Sequence, residues 1–403
     1  MSGDGTIIKR GNKWSVVLDL GTDETGRRVR KWHSGYATKR DAQRARIELL
    51  GRLQQDSYVE PQKMTLRAFL VDEWLPGVRA SVRPTTWESY RHNIESYVAP
   101  SQLAGTPLQK VTPAAINAFY AYLLESGRKD GRGLSAKSVR NVHGVLHKAL
   151  RDAVRWGRIT RNVADLADPP RWARPEMKVW TAAELRQFLD SVRTDRMYAA
   201  YVLSATTGMR RGEVLGLRWA DVNLERGTLA IVQARTVVTY RDVTQSEPKT
   251  ARGRRSVALD PPTVAALRSH RARQAEERLA IGEGWTDTGL VFTRPDGTGI
   301  HPHRFTAWFD QASARAGLPR IRLHDARHSY ATLALEAGVH PKIVSERLGH
   351  ATVAITLDTY SHVTPSMQRE AAALVAAELF GVSAEPMVAI RLQSEAQPAA
   401  DSL

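Results

Sequence analysis

The sequence predicts a multidomain protein, mainly α-helical with small antiparallel β-sheets. Three observations predict it. A chain of 403 residues holds two to four domains at roughly 100–200 residues each. From Pro61 to Asp168 the apolar residues recur at helical spacing, whereas strand-forming runs are confined to the first 60 residues and to positions 227–259. Between the two helical regions, Asp168-Pro169-Pro170-Arg171-Trp172-Ala173-Arg174-Pro175 has no periodicity and reads as a linker.

The first 60 residues predict a β-hairpin/sheet-plus-helix module. Trp14–Leu20 partly alternates, Gly21–Gly26 supplies turn chemistry, and Arg27–His33 gives a second strand. Thr38-Lys39-Arg40-Asp41 then opens a helix running to about Gln54. The hairpin carries Arg27, Arg28, Arg30 and Lys31 close together, and a two-stranded ribbon fits a DNA groove. A solvated edge protected by charge is the other use of such residues.

Residues 61–170 predict a helical bundle. Helices start at Thr65, at Arg83-Pro84, at Thr112-Pro113 and at Ser135. The third puts Ile116, Phe119, Tyr120 and Leu123 on one side; the fourth does so with Val142, Val145, Leu146, Ala149, Leu150 and Ala153. Residues 128–174 hold 12 Lys+Arg against 4 Asp+Glu, half of the net charge of +16. A bundle with a basic face, including Lys137 and Arg140, suits a DNA clamp. Beyond the linker, Thr181-Ala182-Ala183-Glu184 is a capping box that opens a further domain. Residues 175–382 mix helices with strands at Gly227–Val232, Arg235–Val238 and Arg254–Leu259, which is an α+β pattern. The tail from about Ser383 is polar and Ala/Pro-rich, without a core of its own.

Charge and composition narrow the chemistry. An excess of 58 Lys+Arg over 42 Asp+Glu favours a polyanionic partner. With no cysteine, disulfides, thiol catalysis and Cys-ligated metal sites are excluded. No apolar run reaches membrane-spanning length, and Met1–Arg10 lacks the apolar core of a signal peptide. A soluble, cytoplasmic, DNA-associated protein without a membrane partner is expected.

Four segments of the last domain carry side chains fit for chemistry. In Thr206-Thr207-Gly208-Met209-Arg210-Arg211-Gly212-Glu213, Gly208 ends a helix and Glu213 stands where it can hold Arg210, while Arg211 points elsewhere. Lys249 lies in a loop between two predicted strands. In Leu323-His324-Asp325-Ala326-Arg327-His328, His324 and Arg327 project together. The His324/His328 spacing invites zinc, but Asp325 replaces the Glu of the metalloprotease helix. Leu348-Gly349-His350 is followed ten residues later by Tyr360, near a helix end and without an apolar stripe to explain it. Together these form a phosphoryl-transfer set. Two arginines can take the charge gathering on a phosphate's non-bridging oxygens, a lysine can protonate a leaving oxygen, and a histidine can handle the proton of a tyrosine nucleophile. The carboxylate cluster of a two-metal nuclease is not evident.

The order and spacing of Arg210, Lys249, His324-Asp325-Ala326-Arg327, Leu348-Gly349-His350 and Tyr360 resemble those of tyrosine recombinases, and the whole chain resembles a phage-type integrase. The resemblance implies an arm-type DNA-binding module over 1–60, a helical core-binding (SAM-like) domain over 61–170, a catalytic domain over 175–382 and a tail over 383–403. It implies that Tyr360 attacks a DNA phosphate, giving a 3′-phosphotyrosyl link and a free 5′-hydroxyl. Arg210, Arg327 and His350 would hold the phosphate, Lys249 would act as general acid, and His324 would assist proton transfer. No cofactor, metal or ATP is implied. The implied partners are double-stranded attachment sites, a homotetramer on DNA, and DNA-bending and directionality factors. Met367–Phe380 fits a helix that packs on its own domain or on a neighbouring subunit. A type IB topoisomerase shares the chemistry, and a non-catalytic DNA-binding protein shares the scaffold; the N-terminal module argues against the first and the intact residue set against the second.

Overall fold

The computed structural model describes residues 5–22, 25–54, 58–173, 177–239, 243–246, 253–360, 375–376 and 379–380, with the backbone alone at 245–246 and 358–360. The chain divides into two units, Met1–Arg174 and Pro175–Leu403.

In the first unit, strands β1 (Thr6–Arg10), β2 (Lys13–Thr22) and β3 (Arg28–Tyr36) form an antiparallel sheet in the order β1-β2-β3. Alternation along β2 sends the fully buried Val16 and Leu18 toward Ala42 of helix α1 (Lys39–Gln54). That helix begins where the Thr38 hydroxyl donates to Asp41 and accepts from its backbone N–H. Strand β1 extends the expected hairpin to three strands. Its five residues offer no alternation to read. The tight Gly11-Asn12 turn between Arg10 and Lys13 fixes it, with Gly11 at φ +57°.

The helical part follows the expected starts. Helices α2 (Leu66–Ala68) and α3 (Leu75–Val78) flank a π-wound turn at Phe69–Trp74, and α4 (Pro84–Asn93) runs into another at Ile94–Val98. Helices α5 (Pro113–Ser126) and α6 (Ala136–Arg155) complete the bundle. Thr65, Thr112 and Ser135 each cap a helix by accepting the N–H three residues on, an interaction worth about 1 kcal/mol. Trp74, Ile94, Ile116, Leu146 and Leu150 centre the core, all with less than 1 % exposure. Asp152 is buried there, held by the Trp74 indole at 2.9 Å and by Lys148.

The second unit opens with α7 (Ala182–Ser191), whose capping box joins Thr181 and Glu184 as expected. Helix α8 (Tyr198–Thr207) is buried along most of its length. The short α9 (Arg211–Gly216) leads to a sheet of β4 (Val222–Asn223), β5 (Thr228–Ile231) and β8 (Arg255–Ala258). Strands β6 (Ala234–Val237) and β7 (Val243–Ser246) form a separate ribbon, of which the sequence pattern showed only the first strand. Helices α10 (Pro261–Ile281), α11 (Pro302–Arg315), α12 (Leu323–Glu336), α13 (Pro341–Leu348) and α14 (Val353–Tyr360) follow. Their core is aromatic: Tyr201 stacks on Phe305 at 5.5 Å and meets Phe188 edge-on at 5.3 Å. Helix α9 lies close on β6 because Gly212 faces that strand. A Cβ on Gly212 would stand 2.7 Å from the Arg235 carbonyl oxygen. No helix among the described residues is long and apolar enough to cross a membrane.

Candidate active site

The site is built on two glycine-capped helix ends. Gly208 closes α8 at φ +63° and Gly349 closes α13 at φ +66°, the left-handed conformation in which glycine carries no Cβ penalty. At Gly208 the need is doubled, since a Cβ would stand 2.6 Å from both Leu348 Cδ2 and Tyr330 Cδ1. The carbonyls exposed by these turns become anchors. Arg327, 3 % exposed in the middle of α12, donates from Nη1 to Gly208 O and from Nη2 to Leu348 O, both at 2.7 Å. Arg210, the residue before α9, donates from Nη2 to Gly349 O at 3.2 Å and from Nη1 to Glu213 Oε1 at 2.8 Å. Two guanidiniums 117 residues apart in sequence thus bind consecutive carbonyls of one turn.

His350 follows that turn. Its Nδ1 lies 2.8 Å from the hydroxyl of the fully buried Thr356 on α14. Burial, then the charges of Arg327 and Arg210, pull its pKa down to about 4, so its ring is neutral at pH 7. His324 opens onto solvent at the start of α12. The protein around it still disfavours its charged form, and Arg327 adds to the downward shift while Asp325 opposes it. His324 and His328 meet edge to face at 5.1 Å. Arg211 turns away from this cluster, as expected, and donates to Thr306 at 2.8 Å. Tyr360 is the last residue of α14, one helical turn after Thr356. Its side chain, like Lys249, lies outside the described residues.

Arg255 is the residue the sequence pattern did not expose. It enters from β8 and pairs through both Nη atoms with Glu213, at 2.9 and 3.2 Å, while Nε donates to Arg347 O at 2.6 Å. An arginine sharing the inward parity of the buried Val257 was the available signal, because a charge so placed requires a buried acid. Glu213 therefore holds Arg210 and Arg255 together. Burial alone would raise its carboxyl, but the bonds to Arg255 and the charges of Arg255 and Arg210 outweigh burial and keep it below its usual range.

Glu213→Gln is expected to leave Arg255 buried beside a neutral partner, a change that costs about 3–5 kcal/mol and lowers Tm by about 10 °C. Because the folded carboxyl sits below its ordinary value of 4.5, its stabilisation is complete above that pH and is lost as pH falls through the folded value. The deficit of the variant should accordingly be full at pH 7 and shrink below about pH 4.5. Thermal unfolding of both proteins across pH 3–8 measures it; a constant deficit would contradict the assignment.

The basic residues of the first unit divide by register. Arg30 pairs across to Asp19, and Trp32 to Val17, so Arg28, Arg30 and Trp32 share the face away from α1. Lys31 pairs with Leu18 and therefore lies on the helix side, where it bonds Glu60. Arg28 lies 3.6 Å from Asp19, and Arg10 stands over the Trp32 ring at 5.4 Å. Arg27 is exposed beside the turn. Lys137 and Arg140 hold the linker: Lys137 Nζ lies 4.3 Å from the Trp172 ring centre, and Arg140 Nη1 donates to Pro170 O at 3.3 Å. The helix expected over Met367–Phe380 lies outside the described residues apart from helical turns at 375–376 and 379–380, where Val375, Leu379 and Phe380 are exposed.

This arrangement can be set beside known proteins. Residues 178–367 match the phage integrase family, 6–53 an arm DNA-binding domain, and 66–124 the N-terminal SAM-like domain of phage integrases. The chain belongs to the phage integrase family of tyrosine recombinases. It is 29 % identical over 384 residues to a XerC-like tyrosine recombinase of Caldanaerobacter subterraneus, covering 90 % of this chain and 96 % of that one. It is 26 % identical to the ICEBs1 integrase of Bacillus subtilis, covering 89 % and 96 %. Its fold is similar to that of the Tn1549 transposon integrase in complex with a circular intermediate DNA, with a TM-score of 0.64 and 22 % identity over 78 % of this chain and all of that one. As a family member this recombinase acts on specific DNA sites, integrating or excising mobile elements.

Proposed function

We propose that Tyr360 is the nucleophile of this recombinase and that strand cleavage needs neither metal nor ATP. The phenol oxygen bonds to a DNA phosphorus as the P–O5′ bond breaks, leaving a 3′-phosphotyrosyl link and a 5′-hydroxyl. The phenol proton passes toward His324, which is open to solvent and held below the usual imidazole range, and Lys249 delivers a proton to the departing 5′-oxygen. Arg210, Arg327 and His350 hold the non-bridging oxygens. One observation carries this reading: Arg327 and Arg210 are anchored on the consecutive carbonyls of Leu348 and Gly349, directly before His350. Among Arg210, Arg255, Arg327 and Glu213 three positive charges face one negative, so the site favours an anion. Storing the phosphodiester as a phosphotyrosine lets the 5′-hydroxyl of a partner duplex reseal the strand by the reverse attack. Residues 1–60 serve distal arm-type sites and 61–170 the core site. A homotetramer brings two sites together, with bending and directionality factors setting the outcome.

Incubating the full chain in EDTA with a nicked suicide duplex that carries its site tests the chemistry. A covalent adduct mapping to the Tyr360 peptide, with a free 5′-hydroxyl on the released end, is expected. Wild-type protein that yields adduct only after a divalent ion is added would overturn the metal-free step.

A further inference from the structure

Two further arginines, on the adjoining α9 and β6, are not used by the catalytic set: a Cβ on Gly212, next to Arg211, would stand 2.7 Å from the Arg235 carbonyl oxygen. Arg211 begins α9 and donates from Nη1 to Thr306 on α11. Arg235 comes from β6, with its guanidinium filling the space that a Cβ on Gly299 would occupy, and its Nε is buried with no hydrogen-bond partner. Elsewhere in this unit Arg196, Arg218, Arg255 and Arg322 each pair with a carboxylate. Among the described residues no Asp or Glu bonds Arg211 or Arg235. Burial makes both guanidiniums hold their protons less firmly. His303, nearby on α11, is disfavoured as a cation first by burial and then by the charges of Arg211 and His301. Among the described residues the positive potential here has no bonded counter-charge, and partly desolvated cations favour one.

We propose that Arg211 and Arg235 form a second clamp that grips a non-reacting backbone phosphate of the bound duplex. The proposal rests on the recombinase reading above and adds a binding contact to it. A planar fork matches two phosphate oxygens. A contact of this kind positions the duplex without reading its sequence. Arg211 directly follows Arg210 in the chain but points to Thr306 instead of Gly349, so the two forks leave one stretch of backbone in different directions and suit different phosphates.

The test is the salt dependence of binding, measured by fluorescence anisotropy of the full chain on its core-site duplex. Arg211→Gln and Arg235→Gln should each flatten the plot of log K against log salt, by about 0.9 for one lost phosphate contact. Arg235→Lys should keep the wild-type slope. The slope reports only molecules that bind, so loss of folded protein cannot imitate the effect. A methylphosphonate scan of the duplex should find one linkage whose neutralisation weakens wild type and leaves Arg235→Gln unaffected. Wild-type slopes in both Gln variants, or no such linkage, would overturn the clamp. Wild-type adduct formation separates the two levels: adduct with unchanged slopes sinks the clamp alone, and no adduct sinks the recombinase reading with it.

Discussion

Tyr360→Phe is expected to bind the core-site duplex as tightly as wild type and to cleave it on the order of 10⁶-fold more slowly, the scale on which removing a covalent nucleophile acts. The substitution removes one oxygen and keeps the ring, so packing and DNA contacts change little while the bond-forming atom disappears. Single-turnover cleavage of the suicide duplex, beside binding under the same conditions, separates the two effects. A second arm asks whose tyrosine attacks. Helix α14 follows α13 after a turn fixed by Gly349, and His350 is tied to Thr356 one helical turn before Tyr360. From that chain of contacts we expect Tyr360 to act within its own subunit. Mixing Tyr360→Phe with Arg327→Lys should therefore restore no cleavage, since no subunit then holds a complete site. Restored cleavage would mean that the tyrosine crosses to a neighbour.

Much of the site was legible because its chemistry is local. Gly208 ends α8 and Glu213 bonds Arg210 within one helical turn, so a short motif reports both. The capping residues Thr112, Ser135 and Thr181 are legible for the same reason: each acts on an N–H three residues away. What the sequence hid depends on contacts across long separations. Arg255 meets Glu213 from 42 residues away, and no spacing rule connects a strand residue to a helix residue. Strand β7 was missed because Val243–Ser246 is short and polar, and only pairing with β6 makes it a strand. The π-wound turns at Phe69–Trp74 and Ile94–Val98 leave the helical apolar spacing almost unchanged, so periodicity registers a helix and not its winding. Lys31 stood beside Arg28 and Arg30 in sequence, but strand alternation sends it to Glu60 on the other face.

Arg327→Lys is expected to slow strand cleavage by about 10²–10³-fold, the range for losing one preorganised donor to a developing oxyanion, while leaving DNA bound. The wild-type guanidinium is a fork whose two Nη atoms are fixed on Gly208 O and Leu348 O at 2.7 Å. Those bonds join the capped ends of α8 and α13 and hold the plane of the group in one orientation. A lysine keeps the charge but carries it as a single rotatable ammonium, which cannot span both carbonyls and still present a planar pair of donors to a phosphate. One carbonyl is left unsatisfied in a buried position, which costs about 1–3 kcal/mol of stability. Two measurements then have to move together but by different mechanisms: a modest drop in unfolding temperature and a large drop in the cleavage rate at saturating DNA. If the variant lost stability and cleaved at the wild-type rate, Arg327 would be a strut between two helix ends with no part in holding the phosphate. If cleavage fell as expected, Arg210 on the adjacent carbonyl of Gly349 should show the same dependence on its fork, because the one turn sets the orientation of both.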